Sequence, residues 1–232
     1  MMQPSPRFPL AWLYLDTNTV HYYRIGRARD PQKVSKLNSI FEDAEHGRVK
    51  CATSAYTRFE MINFAKKAEY ALQELEAGRT DIGKILEETR ASFKVSSERM
   101  AKRCREIDEW FLEQERLGHL ELLPAEDVSI TWRLAETLVE QTGIAGMGDC
   151  LHVATAIVRG CSIFVTEDQS LRKGIQQELC AESSSREAVQ QALFALTGSE
   201  NLSIEPRTID TTHVWIGQEL EKLKNAEGTG NS

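Results

Sequence analysis

The sequence predicts an α/β fold, a parallel sheet with helices packed on it, and three observations carry that prediction. Residues 10–15 (LAWLYL) and 161–165 (CSIFV) are short, nearly continuous apolar runs, the texture of strands buried on both faces. The stretches between them repeat apolar residues at helical spacing and are bounded by capping residues and glycines. Strands that alternate with helices in this way build a parallel sheet.

The first strand follows Pro4, Pro6 and Pro9 and ends at Asp16. Helices are expected over 17–25 and over 37–46, the second stopped by Gly47. Residues 48–54 (RVKCATS) suit a second strand, and Ser54 can N-cap a helix carrying Tyr56, Phe59, Ile62 and Phe64. From 66 to 117 the texture changes to 11 Lys/Arg against 12 Asp/Glu, with Cys104, Ile107 and Phe111 at helical spacing. This reads as one long helix, or two broken near Gly78 or Gly83, and it is too long for an ordinary connector. It is therefore treated as a long charged helical insertion or arm. Residues 121–124 (ELLP) form the next strand, and 129–142 a helix ended by Gly143. Residues 149–159 (DCLHVATAIVR) are apolar enough for an interior helix, with Gly160 where a left-handed C-cap glycine belongs. The strand at 161–165 follows at once. A helix over 176–196, interrupted by Ser183, Ser184 and Ser185, and a last strand near 202–204 come next, then an unstructured tail over 226–232.

A chain of 232 residues holds one enlarged domain, expected over 10–225 with the segment 66–117 inserted in it. The net charge of -7 and the pI near 5.4 speak against a passive, sequence-blind nucleic-acid binder. They do not speak against an acidic site that holds cations, because bound cations reverse the local field. Five scattered cysteines without a C-x-x-C pair suit a reducing compartment and carry no zinc signature. The N-terminus has no signal-peptide pattern and no apolar run approaches ~18 residues, so a cytoplasmic location is expected.

Asp16 and Asp168 stand at the C-terminal ends of the two most apolar strands, where ligands bind in open α/β sheets. Asp149 opens a buried helix after Gly146-Met147-Gly148, and Glu60 lies in the first turns after the second strand. Singly, each acid has an ordinary reading: a helix cap for Asp16 and Asp149, a surface acid for Glu60, a turn for Asp168. Gathered on one sheet edge they would repel, each pair by about 4 kcal/mol at ~4 Å and an effective dielectric of 20. Sites that tolerate such crowding bind hard divalent cations, and two of these can activate a water and clamp a phosphodiester.

The motifs LYLDTNTV (13–20), SAYTRFEMINFAKK (54–67), GMGDCLHVATAIVRG (146–160) and CSIFVTEDQSL (161–171) resemble, in order and setting, those of the PIN-domain nucleases. That family includes the toxin ribonucleases of bacterial toxin–antitoxin pairs. The resemblance runs over 10–172, interrupted by the segment after Lys66, with 202–209 standing for the last strand. It implies a PIN-like three-layer sandwich and an endoribonuclease dependent on Mg²⁺ or Mn²⁺. It implies that Asp16, Glu60, Asp149 and Asp168 are the catalytic and metal-ligating acids. Asn18 and Thr166 would orient them from a second layer, and Glu167 is a spare acid beside Asp168. Arg58, Arg172 and Lys173 are the candidate contacts to substrate phosphate, while His152 is expected to pack. RNA is the implied substrate, and an antitoxin-like protein and a second copy of the chain are the partners to consider.

The charged segment and residues 176–200 exceed the family's usual length. Each reads either as extra packing or as an arm, with Phe93, Trp110 and Phe111 as anchors and Lys102, Arg103 and Arg105 as a small basic patch. Two other functions stay open. One is an inactive PIN-like interaction module. The other is a haloacid-dehalogenase-like phosphatase, which wants an acid two residues after its nucleophile, where this chain has Asn18.

Overall fold

The computed structural model of the chain describes residues 9–25, 30–124, 128–144 and 146–229. Five strands, β1 (Trp12–Leu15), β2 (Lys50–Ser54), β3 (Glu121–Leu123), β4 (Ile163–Val165) and β5 (Glu205–Arg207), form one sheet in the order β3-β2-β1-β4-β5. All neighbours are parallel. Central β1 pairs Leu13 with Cys51 of β2 and Leu15 with Val165 of β4. The chain winds outward from β1 to β3, crosses back to β4 and ends at β5, so the strand order reverses between β1 and β4. The carboxyl ends of those two strands therefore flank the crevice where such sheets bind ligands.

Among the described residues ten helices flank the sheet: α1 (Thr17–Ile25), α2 (Pro31–Glu45), α3 (Ala55–Glu76), α4 (Ile82–Glu88), α5 (Ser97–Arg116), α6 (Val128–Gln141), α7 (Met147–Val158), α8 (Gln169–Ile175), α9 (Ser184–Thr197) and α10 (Ile209–Thr229). A π-helical turn, Gln176–Cys180, continues α8. The alternation of β1 sorts its side chains between two cores. Leu13 and Leu15 join Ile163 and Val165 against α1, α2, α3, α5 and α10. Tyr14 points the other way and stacks on Phe164, 5.3 Å between ring centres, within a core closed by α6, α7, α8 and α9. The result is the three-layer α/β sandwich expected. Among the described residues no helix is long and apolar enough to cross a membrane.

The segment 66–117 is built from the second half of α3, then α4 and α5, with the break at Gly78, whose φ of +89° favours glycine. It packs on the domain it interrupts: Ile107 and Phe111 of α5 are buried in the core of Leu13 and Leu15, with Trp110 against them. Arg103 is paired with Glu69 and Glu106, and Arg99 with Glu76, so these charges close on one another along the α3–α5 seam.

Several elements differ from expectation: α2, expected from 37, starts at Pro31 behind its Asp30 cap, and the stretch expected as one helix over 176–196 is the π-helical turn followed by α9. The last strand is 205–207 instead of 202–204; it carries Pro206, which only an edge strand tolerates. The segment 169–175, for which no element was expected, is α8. Residues 226–229, expected in an unstructured tail, belong to α10, which is anchored through Ile209 and Ile216; residues 230–232 lie outside those described.

Candidate active site

Asp16 follows β1 directly and is almost fully buried, 2% exposed. It caps α1: its Oδ1 accepts from the Thr19 amide at 2.8 Å, and its backbone carbonyl accepts from Val20. Its other oxygen, Oδ2, accepts from the Thr166 hydroxyl at 2.6 Å, across the β1–β4 junction. Burial pushes the Asp16 carboxyl above its ordinary range, against the pull of the hydrogen bonds from Thr166 and Thr19.

Thr166 serves two acids at once, because its Oγ1 also accepts from the Asp168 amide at 3.0 Å. Asp168 in turn caps α8, its Oδ1 taking the amides of Ser170 and Leu171 at 2.8 and 2.9 Å. One threonine at the end of β4 thus sets the position of a carboxylate on each side of the switch point.

Glu60 reaches the site from the second turn of α3. Its Oε2 accepts from the Thr17 hydroxyl and lies 3.0 Å from Nε2 of His152. Burial alone would raise its pKa, but the hydrogen bonds from His152 and Thr17 outweigh burial and leave it below the ordinary value. Asp149, in the first turn of α7, differs from the other three, since it makes no hydrogen bond to a described residue. Burial and the charges of Asp168, Glu60 and Asp16, partly offset by His152, push its carboxyl up to about 6.

The glycines before Asp149 have specific reasons. Gly146 sits at φ +94°, a conformation that L side chains rarely adopt, and turns the chain into α7. At Gly148 a Cβ would stand 2.9 Å from the Tyr56 hydroxyl, so the absent side chain lets α7 close on α3.

Asp16, Glu60, Asp149 and Asp168 are therefore gathered at the crevice between β1 and β4, from four separate elements. The orienting groups are Thr17, Thr19, Thr166 and His152. Asn18, expected among them, is exposed and hydrogen-bonds none of the described carboxylates, because the turn into α1 points its neighbours inward and leaves it outside. Glu167 is drawn away: it pairs with Lys33 and accepts the Ile209 amide at the start of α10. Arg58 pairs with Asp108 of α5 at 2.5 Å, which directs it toward the inserted helices. Arg172 and Lys173 lie on α8, the helix that Asp168 caps, and form no ion pair with a described residue. His152, expected to pack, is buried at 2% exposure yet belongs to the site through Glu60. Its position one turn after Asp149 was the available signal.

The donor set fits a hard divalent cation in kind: four oxygen ligands, one of them unpaired and destabilised by its neighbours' charge. Among the described residues no three of these groups stand close enough to hold one ion as they are placed. Closing a shell requires side-chain rotation, for which the Asp149 carboxylate, hydrogen-bonded to no described residue, is the available group, while Glu60 is held by Thr17 and His152.

Comparison with known families finds that the model described as "PIN domain" matches residues 13–174. No curated protein and no solved structure matches the chain.

Proposed function

The chain belongs to the PIN-domain family, whose fold is of the nuclease type, and from that premise we propose that it is a divalent-metal-dependent endoribonuclease hydrolysing RNA phosphodiesters. The observation that supports this reading best is Asp149, a half-buried, unpaired carboxylate raised to about 6 by burial and by three other acids. A fold keeps such a group at a cost to its own stability, and cation binding is what offsets that cost.

In this reading Asp16, Asp149 and Asp168 hold the metal, and Glu60 supports it through its unengaged oxygen. A divalent cation bound there supplies a water of lowered pKa and neutralises charge on the phosphodiester. The protein's own part is positioning. Thr19 and Thr166 hold Asp16, the α8 amides hold Asp168, and Thr17 and His152 hold Glu60. Arg172 and Lys173, one to two turns beyond Asp168, are the cations placed to meet substrate phosphate.

The test is incubation of the purified chain with mixed single-stranded RNA in Mn²⁺ or Mg²⁺, and in EDTA, beside Asp149→Asn. Wild type is expected to cleave only with metal, and Asp149→Asn to lose about 100-fold or more, the equivalent of ~3 kcal/mol. Saturating Mn²⁺, near 100 times its Kd, is expected to stabilise wild type by about 2.7 kcal/mol. Asp149→Asn should gain far less. An inactive interaction module would show neither effect, and full EDTA-sensitive activity in Asp149→Asn would overturn the assignment.

A further inference from the structure

Glu60 does not enter the carboxylate cluster as a free side chain. Thr17 donates to its Oε2, and Nε2 of His152 stands 3.0 Å from the same oxygen. An ionised carboxylate can only accept, so the hydrogen of that second contact belongs to His152. The same Nε2 lies 3.1 Å from the Thr17 hydroxyl, and the three side chains close a triangle around Oε2. Oε1 makes no hydrogen bond to a described residue.

His152 is itself immobilised. Its Nδ1 lies 2.8 Å from the hydroxyl of Tyr14, which donates to Ser54 Oγ at 2.8 Å. Its ring meets Tyr14 and Tyr56 edge-on, at 5.9 and 5.0 Å between centres. Tyr14 is fully buried on the central strand. A continuous polar chain, Ser54–Tyr14–His152–Glu60, therefore runs from the sheet to the cluster through groups removed from water. Such a network is stable only with every member paired, and when paired it holds its last member rigidly.

We propose that His152 is a positioning residue of this site: through Nε2 it fixes Oε2 of Glu60 and so presents the other oxygen, Oε1, to the acids around Asp149. The inference rests on the nuclease reading above. It gives Glu60 one working oxygen, set by an imidazole, in place of a whole carboxylate. It also gives a buried histidine on an apolar helix a role in metal affinity.

Two amide variants separate positioning from packing. A glutamine places its amide nitrogen near the position of Nε2, and an asparagine near that of Nδ1. His152→Gln thus keeps a donor for Glu60, whereas His152→Asn keeps one only for Tyr14. Mn²⁺ affinity of the full chain is read by titration calorimetry, with the melting temperature in EDTA as the control for folding. His152→Asn is expected to bind Mn²⁺ about 10–100-fold more weakly, the usual effect of removing an outer partner of a ligand. His152→Gln should recover most of that loss, at the same metal-free melting temperature. If neither amide variant folds, Tyr14→Phe, which deletes only the hydroxyl holding Nδ1, takes their place; it is expected to lower the metal-free melting temperature by the loss of that buried hydrogen bond and to weaken Mn²⁺ binding by the folded protein. Equal losses in the two amide variants, or wild-type affinity in His152→Asn or Tyr14→Phe, overturn the positioning role alone. A wild type that binds no Mn²⁺ overturns the nuclease reading and this assignment with it.

Discussion

At Asp149, burial and the charges of Asp168, Glu60 and Asp16 act in the same direction and lift the carboxyl from 3.8 to about 6. A carboxyl whose folded pKa lies above its unfolded value stabilises the fold while protonated. That contribution is complete below the unfolded pKa and is lost as pH rises through the folded one. In EDTA, wild type is therefore expected to lose about 1–2 kcal/mol relative to Asp149→Asn as pH rises from about 4 to 7, after allowing for the solvent that screens a half-exposed group. Urea melts of both proteins across that range measure it, and parallel curves would place Asp149 outside the charge cluster. Glu60, whose pKa is lowered, acts below this window, where its contribution is lost as pH falls. Asp16, Asp149 and Asp168 stood out in the sequence because strand ends and a helix start announce themselves through apolar runs and glycines, whereas Glu60, inside α3, joined them only through the resemblance. Of their supports only Thr166 was expected, through the resemblance. Thr17 and Thr19 look like any hydroxyls in a first helical turn, and the contact that gives His152 its role spans 92 residues.

At the scale of elements, the inserted helices are tied to the domain through α5. Phe111 is 2% exposed in a core shared with β1 and β4, so Phe111→Ala is expected to cost about 3–5 kcal/mol in chemical denaturation. A loss under 1 kcal/mol would mean that α5 is a detachable arm. Helical spacing in the sequence identified α5 but not its partner, because a charged helix with a narrow apolar stripe suits an arm and a core equally well. Strands β1 and β4 were legible because both of their faces are apolar. By contrast β5, only Glu205-Pro206-Arg207, is defined by its pairing with β4 and has no pattern of its own. The helix α10 escaped for a related reason: Ile209 and Ile216 bury its start, while residues 221–226 are exposed and mostly charged or polar.

For the whole molecule, a net charge of -7 constrains how a polyanion could be bound. Among the described residues near the site, Arg58 is committed to Asp108 and Lys33 to Glu167, while Arg172 and Lys173 on α8 form no ion pair with a described residue. Two phosphate contacts on a single strand correspond to a slope of about -1.4 in log K against log salt. Anisotropy titrations with a labelled single-stranded RNA in EDTA are expected to give a slope of that size, and Arg172→Gln with Lys173→Gln to flatten it. A slope several times steeper would point to a basic surface elsewhere.

The hydrogen bond from Thr166 to Asp16 joins the two halves of the sheet across 150 residues of chain. During synthesis at roughly 5–20 residues per second, Asp16 leaves the ribosome on the order of 10 s before its partner exists. The strands β1, β2 and β3 can pair in that interval, but the β1–β4 junction cannot, and long-range parallel pairings are slow to form even in a complete chain. The acid cluster is thus assembled late, by the closing of the sheet. A nascent or truncated chain that ends before β4 carries Asp16, Glu60 and Asp149 but lacks both Asp168 and the Thr166 hydroxyl that holds Asp16, so the cluster is complete only when the sheet is.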